Sequence, residues 1–129
     1  MVPELLVSDH RASRAFYTDV LGFAVVFERA EDRFSYLALG GAQLMIVQDH
    51  SEAWLTADLR APRGRGCNLQ IEVDDVTSLR DRILAAAHTL FRDLADEVYD
   101  VGGGEESHRE LLVQDPDGYL LRLVQPLSL

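Results

Sequence analysis

Carboxylates on apolar strands, aromatic rings beside acids, and polar side chains inside apolar runs are the residues of this sequence equipped for chemistry. Glu72 in CNLQIEV (67–73) and Glu110 in RELLVQ (109–114) are the candidate general bases. In that role a carboxylate must reach a substrate proton and hold a raised pKa. Phe34, Tyr36, Trp54 and Tyr99 stand near Glu31, Asp32, Glu105 and Glu106. Planar rings stack on a flat heteroaromatic ligand and carboxylates pair with its cationic tail, so this set points to binding. As ordinary core the same rings would carry no function. Asn68, Gln70 and Arg122 interrupt apolar strands. Buried without partners they would cost about 1–3 kcal/mol each, so they bond one another or await a ligand.

Other reactive side chains carry less. His10, His50, His88 and His108 fall in predicted turns or at segment edges, with no HxH or HxxxH spacing, and at least three are expected at the surface. The single cysteine, Cys67, forms no internal disulfide and no Cys-based metal framework. Without a histidine near it in sequence, it is expected to be a small core residue.

The elements that must position these groups come in a repeated order. PELLV (3–7) reads as a strand, and Ser8 and Asp9 offer capping oxygens to a helix starting near His10 or Arg11. Ala12, Ala15, Phe16 and Val20 are its expected buried stripe, with Gly22 as the stop. FAVVFER (23–29), FSYLAL (34–39) and AQLMIVQ (42–48) follow as strands. Residues 49–66 lack periodicity and read as a linker loop. The order then recurs: strand 67–73, capping candidates Asp74 and Asp75, and a helix buried through Val76, Leu79, Ile83 and Ala86 or Ala87. Weaker strands follow at 89–94 and 97–101, then 109–114 and 119–125 around an Asp-Pro-Asp-Gly turn. The division is thus one domain, 1–129, with βαβββ repeats over 1–48 and 67–129. The fold class is α+β: a curved, partly open eight-stranded mixed sheet around a concave cleft, the default place for a ligand.

Twelve arginines, no lysine and 22 acidic residues give a formal net charge of −10. That field repels nucleic acid and anionic membranes and attracts cations. No apolar run approaches the ~20 residues of a membrane span, and the first residues lack a basic region followed by an apolar stretch. A cytoplasmic location is expected.

RASRAFYTDVLGF (11–23) and LLVQDPDGYLLRLVQ (111–125) resemble the two recurring signatures of the vicinal oxygen chelate superfamily of glyoxalases, bleomycin resistance proteins and extradiol dioxygenases. The resemblance implies four metal-ligand positions, usually His or Glu, on the first and last strands of each repeat. Here they fall on Val2, Met45, Asn68 and Arg122. None is a good ligand for a divalent cation, and Arg122 places a fixed positive charge where the metal belongs. Glu4, Glu72 and Glu110 are the nearest carboxylates able to recruit an unusual metal. No cofactor, metal or catalytic residue is therefore expected.

The pattern is closest to the bleomycin-resistance branch, whose members are acidic dimers that sequester a cationic glycopeptide. The charge, Pro3 at the place of an exchanged N-terminal arm, and GRGCNLQIEVDDV (64–76) carry that likeness. It implies an antibiotic-binding homodimer without covalent chemistry, contacting its ligand through Phe34, Tyr36, Met45, Trp54, Asn68, Gln70, Tyr99, Glu110 and Arg122. The alternative is a glyoxalase-like isomerase, lyase or transferase using a cleft carboxylate or a non-standard metal site. Arg122 also admits a ligand with an anionic group.

Overall fold

Apolar residues facing one core build the inner strands, and two aspartate caps start the helices. The computed structural model describes residues 1–127; the end of the expected second repeat, residues 128 and 129, lies outside the described residues. The elements are β1 (Glu4–Val7), α1 (His10–Ala15), β2 (Ala24–Arg29), β3 (Phe34–Leu39), β4 (Ala42–Gln48), β5 (Asn68–Glu72), α2 (Val76–Ala85), β6 (Arg92–Asp100), β7 (Glu105–Gln114) and β8 (Leu120–Leu127). Asp9 accepts from the Ala12 N–H at 3.2 Å and Asp75 from the Ser78 N–H at 3.0 Å, each satisfying a donor that the first helical turn leaves unpaired.

The fold is α+β, with its eight strands in two four-stranded mixed sheets ordered β1-β4-β3-β2 and β5-β8-β7-β6. In each, the first strand lies parallel to the last, Glu4 opposite Met45 and Gln70 opposite Arg122, and the other pairs are antiparallel. The helix-side faces merge into one core that joins Leu5, Val7, Leu44 and Ile46 to Ile71, Leu111, Leu121 and Leu123. Each such side chain contributes about 1.5–3 kcal/mol through burial. Side chains alternate across a strand, so Glu4, Met45, Gln70 and Arg122 stand on the opposite, open faces.

Polar ties lock the two sheets' units together. The Tyr17 hydroxyl donates to Asp115 at 2.7 Å, and the Ser8 N–H to Asp117 at 3.1 Å. Tyr119 donates its hydroxyl to the Leu6 carbonyl at 2.9 Å. Arg63, in the 49–66 loop, forks onto Asp49 at 2.7 Å and also donates to the Leu6 carbonyl at 3.0 Å. The Asp-Pro-Asp-Gly turn is therefore a joint between units as well as a hairpin.

Local expectations fail in places with physical reasons. The buried stripe of the first helix is Ser13, Phe16 and Tyr17, while Ala12 and Ala15 are exposed. After only six residues α1 widens into an i→i+5 turn over Phe16–Val20, closed by the Leu21 N–H on the Phe16 carbonyl at 3.0 Å, and the 3.6-residue phase is lost. α2 stops at Ala85, before Ala86 and Ala87, and Ala87 turns to φ 63°. The two weak strands expected at 89–94 and 97–101 are one strand, β6, whose register shifts between Arg92 and Ala95, which breaks the alternation there. Cys67, expected in the core, is exposed, because it precedes β5 beside the Gly64–Gly66 turn. His50 alone among the four histidines is exposed: His10 meets the Ser35 hydroxyl at 2.8 Å, His88 stands edge-on to Phe16 at 5.0 Å, and His108 lies within β7.

Candidate functional site

The nine residues expected at the ligand divide between the two open faces. The first sheet carries Phe34, Tyr36 and Met45, with Tyr36 opposite Met45 and Phe34 opposite Val47 across β3 and β4. Tyr36 stacks on Phe27 of β2 with ring centroids 5.1 Å apart, and its hydroxyl donates to Gln43 at 2.9 Å. Phe34 is buried on this side because the Arg29 guanidinium lies 3.9 Å from its ring centroid. The 49–54 loop arches beside β1 and brings Trp54 to the same face. There Glu4, Leu6, Met45, His50, Glu52 and Trp54 line a cavity of about 670 Å³. An adjoining hollow shares Glu4, His50 and Glu52 and extends to Phe34, Glu31 and Asp32. Trp54 itself is 94% exposed.

The second sheet carries Asn68, Gln70, Tyr99, Glu110 and Arg122. Glu110 is only 1% exposed and is the centre of a network. The Tyr99 hydroxyl donates to both of its oxygens at 2.9 Å, and Arg92 donates at 3.1 Å. Arg122 Nη1 lies 3.8 Å from Glu110 Oε1, and Nη2 donates to Gln70 Oε1. Burial, and then the bond to Glu110, push the Tyr99 phenol above its usual range, which keeps it a donor at neutral pH. Gln70, Glu72, Glu106 and His108 line a separate cavity of about 440 Å³. Asn68 and Gln70 are exposed, so the desolvation cost expected of them does not arise. Asn68 shares the face with Gln70 but makes no side-chain bond among the described residues.

Three contributors escape a reading of the sequence. Arg29 and Arg92 sit on strands to which the sequence assigned no face, and His50 lies in a loop without periodicity.

The four metal-ligand positions implied by the family likeness do not fit a divalent ion. Val2 has no donor atom, Met45 offers a thioether, Asn68 an exposed amide, and Arg122 a guanidinium engaged with Gln70 and Glu110. Val2 and Met45 belong with the first sheet, Asn68 and Arg122 with the second. Among the described residues no three His, Cys, Asp or Glu side chains group to hold an ion. Among those residues, too, no helix is long and apolar enough to cross a membrane.

Comparison with known proteins addresses the same architecture. Residues 2–123 match the Glyoxalase/Bleomycin resistance protein/Dioxygenase superfamily. A Vibrio cholerae serotype O1 protein named as a probable lactoylglutathione lyase is 30% identical over 125 residues, covering 94% of this chain and 86% of the relative. In structure, TioX from Micromonospora sp. ML1 superposes with a TM-score of 0.72 at 24% identity, covering 98% of both chains. A protein of unknown function from Agrobacterium tumefaciens str. C58 reaches a TM-score of 0.73 at 24% identity, over 97% of this chain and 91% of its own. These two likenesses speak for the fold alone. With the family match reaching from β1 into β8 and so into both sheets, the chain belongs to the glyoxalase, bleomycin resistance protein and dioxygenase superfamily, the vicinal oxygen chelate proteins.

Proposed function

We propose that this chain is a small-molecule-binding protein that sequesters a flat, positively charged molecule, such as a glycopeptide antibiotic of the bleomycin type, on the open face of its first sheet. The observation that carries the reading is Trp54, 94% exposed at the rim of the cavity shared with Leu6, Met45, Glu4 and Glu52. An indole in water gains by stacking, and two flanking carboxylates favour a cation in the same place. Trp54 is the only tryptophan, so its fluorescence reports the site directly. Titration with bleomycin at low and moderate salt is expected to shift that emission, with a Kd of about 1 μM or tighter that weakens as salt rises. An emission that never changes would sink the proposal.

We further read the chain as one cytoplasmic domain of two repeats, 1–48 and 67–129, that works as a homodimer. β5 is an edge strand with one sheet neighbour, which offers a side to a second copy, whereas the free side of β1 already receives Tyr119 and Arg63 on the Leu6 carbonyl. The Pro3 carbonyl accepts the Met45 N–H at 2.9 Å within the chain, and an exchanged arm would carry this bond to the partner.

The second reading is catalytic and is favoured by the relative named as a probable lactoylglutathione lyase. Against it stand Val2, Met45, Asn68 and Arg122 at the positions where a metalloenzyme needs donors, and a Glu110 already engaged by Tyr99 and Arg92. Assay of lactoylglutathione turnover, with and without added zinc or nickel, is expected to give no activity above buffer. Turnover that scales with protein would reverse the preference.

A further inference from the structure

The arginine that stands where the family places a metal is itself underused. Arg122 follows Leu121 and precedes Leu123, both fully buried on the core side, which fixes its backbone and sets its side chain on the open face. Of the five N–H donors of a guanidinium, one is bonded among the described residues, Nη2 to Gln70 Oε1. Nη1 lies 3.8 Å from Glu110, beyond hydrogen-bond reach, and Nε is buried without a partner among the described residues, so the outer Nη1 and Nη2 edge is the one left to a ligand. Glu110 is committed elsewhere, taking the Tyr99 hydroxyl on both oxygens at 2.9 Å and Arg92 at 3.1 Å. One carboxylate thus sits between two guanidiniums. The Arg122 side chain is 31% exposed, so part of it remains open to a ligand.

We propose that Arg122 supplies the positive charge of this face in place of a metal ion, and that the second sheet binds the carboxylate group of a small ligand through its guanidinium fork. A planar guanidinium matches a planar carboxylate with two parallel N–H···O bonds, a geometry that a point charge does not offer. Gln70 holds one arm of the fork and the Glu110 network fixes the floor beneath it, so little side-chain freedom remains to be lost on binding. Glu72 and Glu106 line the adjoining cavity, and they disfavour a second negative group on the same ligand. The assignment does not rest on the cation site of the first sheet, and its readout is Arg122 rather than Trp54.

Benzoate and benzamidine test it, because they share shape and differ in the sign of their charge. The side-chain ¹H–¹⁵N signal of Arg122, identified as the Nε–H signal lost in Arg122→Lys, is followed in the full-length chain. Benzoate is expected to move it saturably with a Kd of about 1 mM or tighter, and benzamidine to leave it in place. In Arg122→Lys, benzoate binding measured by calorimetry is expected to weaken at least about tenfold, because the charge stays and the fork goes. An Arg122 signal that ignores benzoate, that responds alike to both probes, or a lysine variant that binds benzoate as tightly, overturns the proposal. Should the lysine variant fail to fold, through-bond correlation of the Arg122 side chain to its own backbone assigns the Nε–H signal in the wild-type chain, and the two wild-type titrations decide the matter.

Discussion

At the scale of single residues, Glu28 shows how local partners become a pH dependence. Hydrogen bonds from Arg14 at 2.8 and 2.9 Å and from the Ser35 hydroxyl at 2.6 Å bring its carboxyl down to about 2. A carboxyl lowered in the folded state contributes stability that is present above its ordinary value of 4.5 and is lost as pH falls toward 2. His10 bonds the same serine, and burial lowers its pKa, so protonation below its ordinary value of 6.5 also favours the unfolded chain. Urea midpoints measured from pH 7 to 3 are therefore expected to fall, and Glu28→Gln to fall less steeply below pH 4.5 than the parent. Asp115 acts with the opposite sign: a carboxyl raised in the folded state costs stability at neutral pH, and that cost is relieved as it takes up its proton. Burial pushes the Asp115 carboxyl up, and the Tyr17 hydroxyl is among the donors that offset this. Tyr17→Phe removes that donor and is expected to cost about 1–3 kcal/mol in denaturant unfolding at neutral pH.

Among the elements, the 115–118 turn is the least replaceable. Gly118 adopts φ 96°, and a Cβ there would lie 2.5 Å from the Pro62 Cβ and 2.7 Å from its Cα. Gly118→Ala combines strain with a backbone clash, and calorimetry is expected to show a loss of about 1–3 kcal/mol. The sequence announced this turn through its Pro and Gly, as it announced the bounds of β3 and β4, because turn chemistry and strand composition are local. It also announced both aspartate caps. The phase of α1 was hidden, since an i→i+5 turn leaves no composition mark, and so was the continuity of β6 across its bulge. For the site, alternation told which face Met45 or Arg122 takes, yet not whether two faces meet. That depends on the joint between the units, where Tyr17 and Asp115 come from signatures nearly a hundred residues apart.

For the whole molecule, separation of the ligand residues onto two open faces is the fact that assembly must answer. The proposed homodimer would unite them by bringing the aromatic face of one chain toward the charged face of another. Light scattering after size exclusion is expected to give about twice the 14.4 kDa chain mass. A monomer at micromolar concentration would leave each face to bind its ligand alone. The net charge of −10 acts at the same scale: it favours encounter with cations at low salt and opposes any anion that lacks a specific fork to receive it.

The ties made by Tyr17, Ser8 and Tyr119 also bear on how the chain reaches this state. They join residues 98, 109 and 113 positions apart, so they close only after nearly all of the chain is present. During synthesis the first sheet must wait, with Tyr17 unsatisfied, until the last hairpin emerges. Closures between such distant residues slow folding relative to local contacts. If the joint forms late, Tyr17→Phe speeds unfolding in stopped-flow traces and leaves the refolding rate unchanged.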